Sequence, residues 1–229
     1  MPKTFGACLV LLLMCMSVHQ AAAQSKLDRI FQSNMINAQV PYLESIAGPA
    51  MHVNPGPSGG QTREYLVNGC DVLADVSNKS GTAAVQSYAL TLSSKCNFNL
   101  KNFGFSELST RGLTISKVPF YQSLLFNSSC ISMCGNAADP DVDFIQESSH
   151  ATNWLAVVYT IVLAEMPAIR ASESLNDLMV AHEGNDYVLN TKFNCDRKYG
   201  PVAANLFAHV PVNKVTVGAM IDDAGRKCQ

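Results

Sequence analysis

Asp139, Asp141 and Asp143 stand at alternate positions, and carboxylates so spaced open many calcium loops, where oxygen ligands gather around a hard cation. An EF-hand loop counted from Asp139 needs glycine at its sixth position and a carboxylate at its twelfth. The chain has Phe144 and His150 there, so the match fails at both. A looser site would join the three aspartates to Glu147, but a solvated acidic loop is the simpler expectation. Cys130 and Cys134 are spaced C-x3-C, with no histidine nearby to complete a tetrahedral zinc set. No C-x-x-C redox pair, no H-E-x-x-H and no G-x-S-x-G is present. The stretch Pro55–Gly60 is rich in glycine but has no Walker lysine and no strand-to-helix context. His52, His150, His182 and His209 are each expected to have surface or structural roles. No metal, cofactor or catalytic residue is therefore assigned. A serine triad assembled from scattered residues leaves no linear trace.

The start of the chain speaks to location. Lys3 precedes an apolar run, Ala7 to Val18, and then the small residues Ala21-Ala22-Ala23. Twelve apolar residues are too few to span a bilayer, and the pattern predicts a signal peptide over 1–23. A single secreted domain, 24–229, would follow. Removal of the leader takes Cys8 and Cys15 with it. Six cysteines stay: Cys70, Cys96, Cys130, Cys134, Cys195 and Cys228. An even number in an exported chain reads as disulfides. Closing the shortest loops pairs Cys70 with Cys96, Cys130 with Cys134 and Cys195 with Cys228. Asn78-Lys79-Ser80 and Asn127-Ser128-Ser129 are glycosylation sequons, the first in a polar, turn-like stretch.

The elements that must hold these residues follow from periodicity. Leu27, Ile30, Phe31, Met35 and Ala38 make one helical stripe over Ser25–Gln39, which Pro41 is expected to end. Gly48–Gln61 reads as a loop. From Arg63 to Phe120 the period is two. Candidate strands carry Tyr65–Val67, Cys70–Val76, Tyr88–Leu92, Phe98–Leu100 and Leu113–Ile115, with a bulge or tight turn at Asn68-Gly69. Ser123–Ser149 reads as irregular. Trp154–Ala164 is an apolar, β-branched run that predicts a buried strand. Ala168–His182 predicts a helix, with Leu175, Leu178 and Met179 on one face. Tyr187–Phe193, Val202–Val210 and Val215–Ile221 then alternate strictly, which predicts a three-strand meander.

The expected fold class is α+β: antiparallel sheet covered by the N-terminal helix and the helix near 168–182, reinforced by disulfides. Of the 229 residues 48% are apolar and 15% charged, which argues against a disordered chain or a coiled coil. The formal charge of −2 removes any electrostatic case for a nucleic-acid partner. Nine methionines and ten phenylalanines suit a secreted binding protein with an uncharged, apolar small ligand, lined by Phe31, Met35 and Met179. Two other readings stand beside it. One is an extracellular module that binds protein or glycan without catalysis; the other is a secreted hydrolase with a dispersed site. A closed apolar cavity favours the carrier, and a filled core with exposed aromatic residues favours the module.

Overall fold

The computed structural model describes residues 26–56, 59–77, 81–104, 108–128, 130–131, 140–150, 153–190 and 193–218. The expected leader, the Asn78 sequon, Asp139, Cys134, Cys228 and the side chains of His150 and Cys195 lie outside the described residues.

Asn68 and Gly69 both have positive φ, 55° and 79°. That is the mirror-image turn whose twist matches two antiparallel strands. It joins β2 (Gln61–Val67) to β3 (Cys70–Ser77), with Tyr65 opposite Val72. β1 (His52–Pro55) pairs with β2, and β4 (Ala84–Thr91) with β3. Further along, β6 (Asp141–His150) and β7 (Asn153–Val162) form a long hairpin. β5 (Leu125–Ser128) lies beside β6, and β8 (Phe193–Asp196) beside β5. β9 (Lys214–Gly218) runs between β4 and β7 and joins the two groups. One nine-stranded sheet results, in the order β1-β2-β3-β4-β9-β7-β6-β5-β8, antiparallel at every junction.

The two faces of this sheet differ. Tyr65, Val72, Tyr88, Val217, Tyr159 and Phe144 fall on one face by register and belong to one continuous buried core. On the other face Asp75 takes two hydroxyl donors, Thr62 Oγ1 at 2.6 Å and Ser87 Oγ at 2.8 Å. Across β9 the same face holds a separate apolar cluster of Leu125, Ile145 and Val158.

Helical segments supply the rest, which makes the chain α+β. Residues 26–30 are helical, and a 3-10 turn follows at Ser33–Met35. α1 (Val40–Ala47) comes next. The single helix expected over Ser25–Gln39 is thus broken, and Pro41 lies in the first turn of α1 rather than after its end. Proline lacks only an N–H that a first turn leaves unbonded, so it starts a helix as readily as it stops one. α2 (Met166–Glu183) matches the expected helix, with Pro167 in its first turn and Leu175 and Met179 buried. α3 (Asn185–Asn190) and α4 (Gly200–Leu206) complete the set. No helix among the described residues is long and apolar enough to cross a membrane.

Several expected elements are corrected. The C-terminal meander does not form: 187–190 lie in α3 and 202–206 in α4, while only β9 keeps its expected strand. Alternating alanines mark no face, and Pro201 suits the first turn of a helix. Gly200 lets that turn close on β5, since a Cβ there would lie 3.1 Å from the Leu124 carbonyl oxygen. Phe98–Leu100 and Leu113–Ile115 are not strands: they lead into 3-10 turns at Leu100–Phe103 and Ile115–Lys117, with Phe98, Leu100, Leu113 and Ile115 buried. The stretch read as irregular contains β5 and β6, and the expected loop Gly48–Gln61 contains β1. The run from Trp154 is a strand, β7, as expected.

Candidate functional site

Phe31, Met35 and Met179 all belong to the main core, each fully buried. Phe31 follows the first helical turn and stacks on Phe98 at 4.1 Å, with its ring edge-on to Tyr88 at 5.1 Å. Phe103 closes the group at 6.3 Å from Phe98. The Tyr88 hydroxyl donates to the Gln32 carbonyl at 2.7 Å, which ties the N-terminal segment to β4. Burial raises the Tyr88 phenol well above its ordinary pKa, so it stays a neutral donor. These rings fill space against one another. A recess at the base of α2, lined by Val162, Glu165, Pro167, Ala168, Val210, Pro211 and Asn213, has about 20 Å³, room for one water.

The acidic triplet changes character in the fold. Asp141 and Asp143 lie on β6, and Asp143 is 1% exposed, so the expected solvated loop is a strand in the sheet. Thr160 Oγ1 of β7 donates to Asp143 Oδ1 at 2.7 Å. Asp-Val-Asp-Phe already alternated polar and apolar, and that alternation was the available signal for the strand. Among the described residues no three His, Cys, Asp or Glu side chains gather around a metal-sized space.

Polar residues do meet where α2, α3 and α4 approach. Lys198 Nζ and the Tyr199 hydroxyl both donate to Glu183 Oε1, the second at 2.7 Å. Tyr187 and Tyr199 flank the ammonium at 5.6 and 5.3 Å. The bond from Lys198, then that from Tyr199, holds Glu183 below the usual carboxylate range. The same bond raises Lys198. A general base or nucleophile needs the opposite, a raised carboxyl or a lowered amine. The arrangement acts as an ionic clamp. A second ion pair, Arg63 to Glu44 at 2.9 Å, links β2 to α1, and Arg63 also donates to Gln61. His52, His182 and His209 are exposed.

Cys70 and Cys96 form a disulfide with Cα atoms 5.5 Å apart, the pairing expected from loop length. Cys130 is disulfide-bonded too, to a cysteine whose side chain lies outside the described residues. Asn127, the second sequon, sits half-buried on β5, opposite Asp143.

Four of the six exposed large apolar side chains among the described residues share one region, and Met166 at the start of α2 lies apart. Tyr42, Met51, Val53 and Leu66 are each about half exposed on or beside α1, β1 and β2. β1 itself is an edge strand, kept short and carrying Pro55, which blunts it as a template for another strand. Phe120 is 84% exposed, between the 3-10 turns, and sequence reasoning did not single it out. The one local hint was a proline followed by two aromatics in an otherwise polar stretch, Pro119-Phe120-Tyr121-Gln122-Ser123. No protein-family model matches the chain, and neither does any curated protein or solved structure.

Proposed function

We propose that the protein is a secreted, disulfide-bonded interaction module that binds another macromolecule by its surface and performs no chemistry. In this reading the signal peptide over 1–23 is removed, Asn78 and Asn127 are the glycan sites, and the N-terminal segment and α2 cover the sheet. The observation that carries the reading is the ring packing around Phe31, with Met35 and Met179 buried in the same core. Side chains that would line an apolar ligand site are instead fully buried, with Phe31 in ring-to-ring contact. Ring contacts of this kind add to the core and leave little room between its layers. The apolar side chains left outside, Phe120 above all, suit a partner rather than a cargo.

The test is mass spectrometry of organic extracts from the natively purified protein, with titration by a fluorescent apolar probe. No extracted molecule and no saturable probe binding are expected. A stoichiometric apolar molecule would restore the carrier reading.

A further inference from the structure

Phe120 joins two features that rarely coincide. Its ring is 84% exposed, and its backbone is left-handed, with φ 57° and ψ 34°. A bulky L-residue in that region is strained, because Cβ crowds the following carbonyl oxygen. Folding alone does not select a phenylalanine here, since glycine or asparagine fits the backbone better and few contacts would be lost.

The loop is also braced from the core. The Tyr159 hydroxyl donates to Gln146 Oε1 at 3.0 Å, and Gln146 Nε2 donates to the Pro119 carbonyl at 3.2 Å. On the other side of the ring the Phe120 carbonyl accepts from Ser123 N and Ser123 Oγ, both at 2.8 Å. Gln122 Nε2 donates to Asn205 Oδ1 on α4. An exposed side chain on a braced, strained turn is an anchor set in advance, which lowers the ordering cost of docking.

The nearest charges along the chain on either side of the loop's start are basic. Leu108 to Ile131 contains Arg111 and Lys117, both exposed, and no acid. Lys117 Nζ donates to the Gly112 carbonyl, which brings the two basic residues to the same loop pair. α4 and the segment after it, to Asn213, carry no acid either. Glu147 follows Gln146 on β6 but alternates to the opposite face.

We infer that Phe120 is the docking anchor of the interaction surface, inserting into an apolar pocket of a protein partner whose rim carries Asp or Glu to meet Lys117 and Arg111. This rests on the module reading above. A braced backbone direction favours a shaped pocket over a bilayer, which asks only for apolar surface.

The experiment places photo-reactive benzoylphenylalanine at position 120 of the full chain, and at position 42 as control, in the fluid and on the cell surfaces of the secreting host. The expected result is one discrete protein adduct from position 120 and none from position 42, its cross-linked peptide bearing acids beside apolar residues. With that partner purified, Phe120→Asn should weaken binding about 30-fold or more. Lys117→Glu should weaken it further as salt is lowered. The thermal midpoint of Phe120→Asn should equal or exceed that of the parent by about 2 °C. Vesicles of phosphatidylcholine with phosphatidylserine form the second arm. An adduct from position 42 alone, unchanged affinity in Phe120→Asn, or a lowered midpoint in that variant overturns the inference. So does vesicle binding that needs Phe120 in the absence of a protein adduct. An extracted apolar cargo would instead strike at the module reading and leave the cross-linking result to stand by itself.

Discussion

The two flanks of β9 solve the same problem differently. On one side β1 to β4 pair in chain order, each strand next to its sequence neighbour, and the Cys70–Cys96 disulfide ties β3 to the loop beyond β4. Its core is a knot of rings, Phe31, Tyr88, Phe98 and Phe103, with the outer face satisfied by Thr62, Asp75 and Ser87. On the other side β7, β6 and β5 run back in order, but β8 arrives only after two helices. There the outer face is partly apolar, at Leu125, Ile145 and Val158, and Asp143 is buried against Thr160. A flank built from neighbours in sequence keeps a polar exterior and a stapled interior. A flank that waits for distant segments buries both sides of its strands.

The largest effect tests whether the flanks are one body. Val217 is fully buried on β9, opposite Tyr88 on one side and Val157 on the other. Val217→Asp places a carboxylate there, at a cost of several kcal/mol, and both flanks should lose protection together in hydrogen exchange. Survival of either flank alone would make them separate units. Phe31→Ala comes next: removal of the stacked ring should cost about 3–5 kcal/mol in denaturant unfolding and leave probe binding unchanged. A loss under about 1 kcal/mol would mean the ring knot is loosely packed. Replacing Cys70 and Cys96 together by alanine should cost about 2–4 kcal/mol, with opening first in the β3–β4 region.

The smallest effect belongs to the clamp beside α3. Glu183 has its pKa depressed by Lys198 and Tyr199, so the native state binds its proton more weakly than the unfolded chain. Its contribution is present above the ordinary glutamate value and is lost as pH falls through the lower native one. Lys198 and Tyr199 are raised, so their share is present below their ordinary values and is lost as pH rises through the native ones. In Glu183→Gln the stability profile should therefore flatten at both ends, read as thermal midpoint against pH. An unchanged profile would assign the pH response to other groups.

What was legible in the chain follows the same divide. Asn68-Gly69, β4, β7 and α2 announce themselves because turn chemistry or a long period dictates each one locally. α4 was misread because Val202-Ala203-Ala204 has too little side chain to reveal a face, and its burial is set by contact with β5. β6 hid behind its aspartates, whose burial depends on a threonine donor in the next strand. Periodicity put Phe31, Met35 and Met179 on the buried faces of their segments, but it does not distinguish a lined cavity from a filled core. Phe120 had no period at all; its interest lies in a backbone angle and an exposure that only three dimensions supply.

The place of β9 has a consequence for how the chain acquires its shape in time. The strand that closes the centre of the sheet is the last described along the chain, so β4 and β7 must wait for it with one edge each unpaired. During synthesis, at about 5–20 residues per second, the interval between the emergence of β7 and of β9 lasts several seconds. Both waiting edges are apolar, with Tyr88 and Leu90 on one and Val157 and Tyr159 on the other. Such edges invite pairing with other chains. Folding speed and yield should therefore depend more on what shields those two edges in that interval than on the stability of the finished sheet.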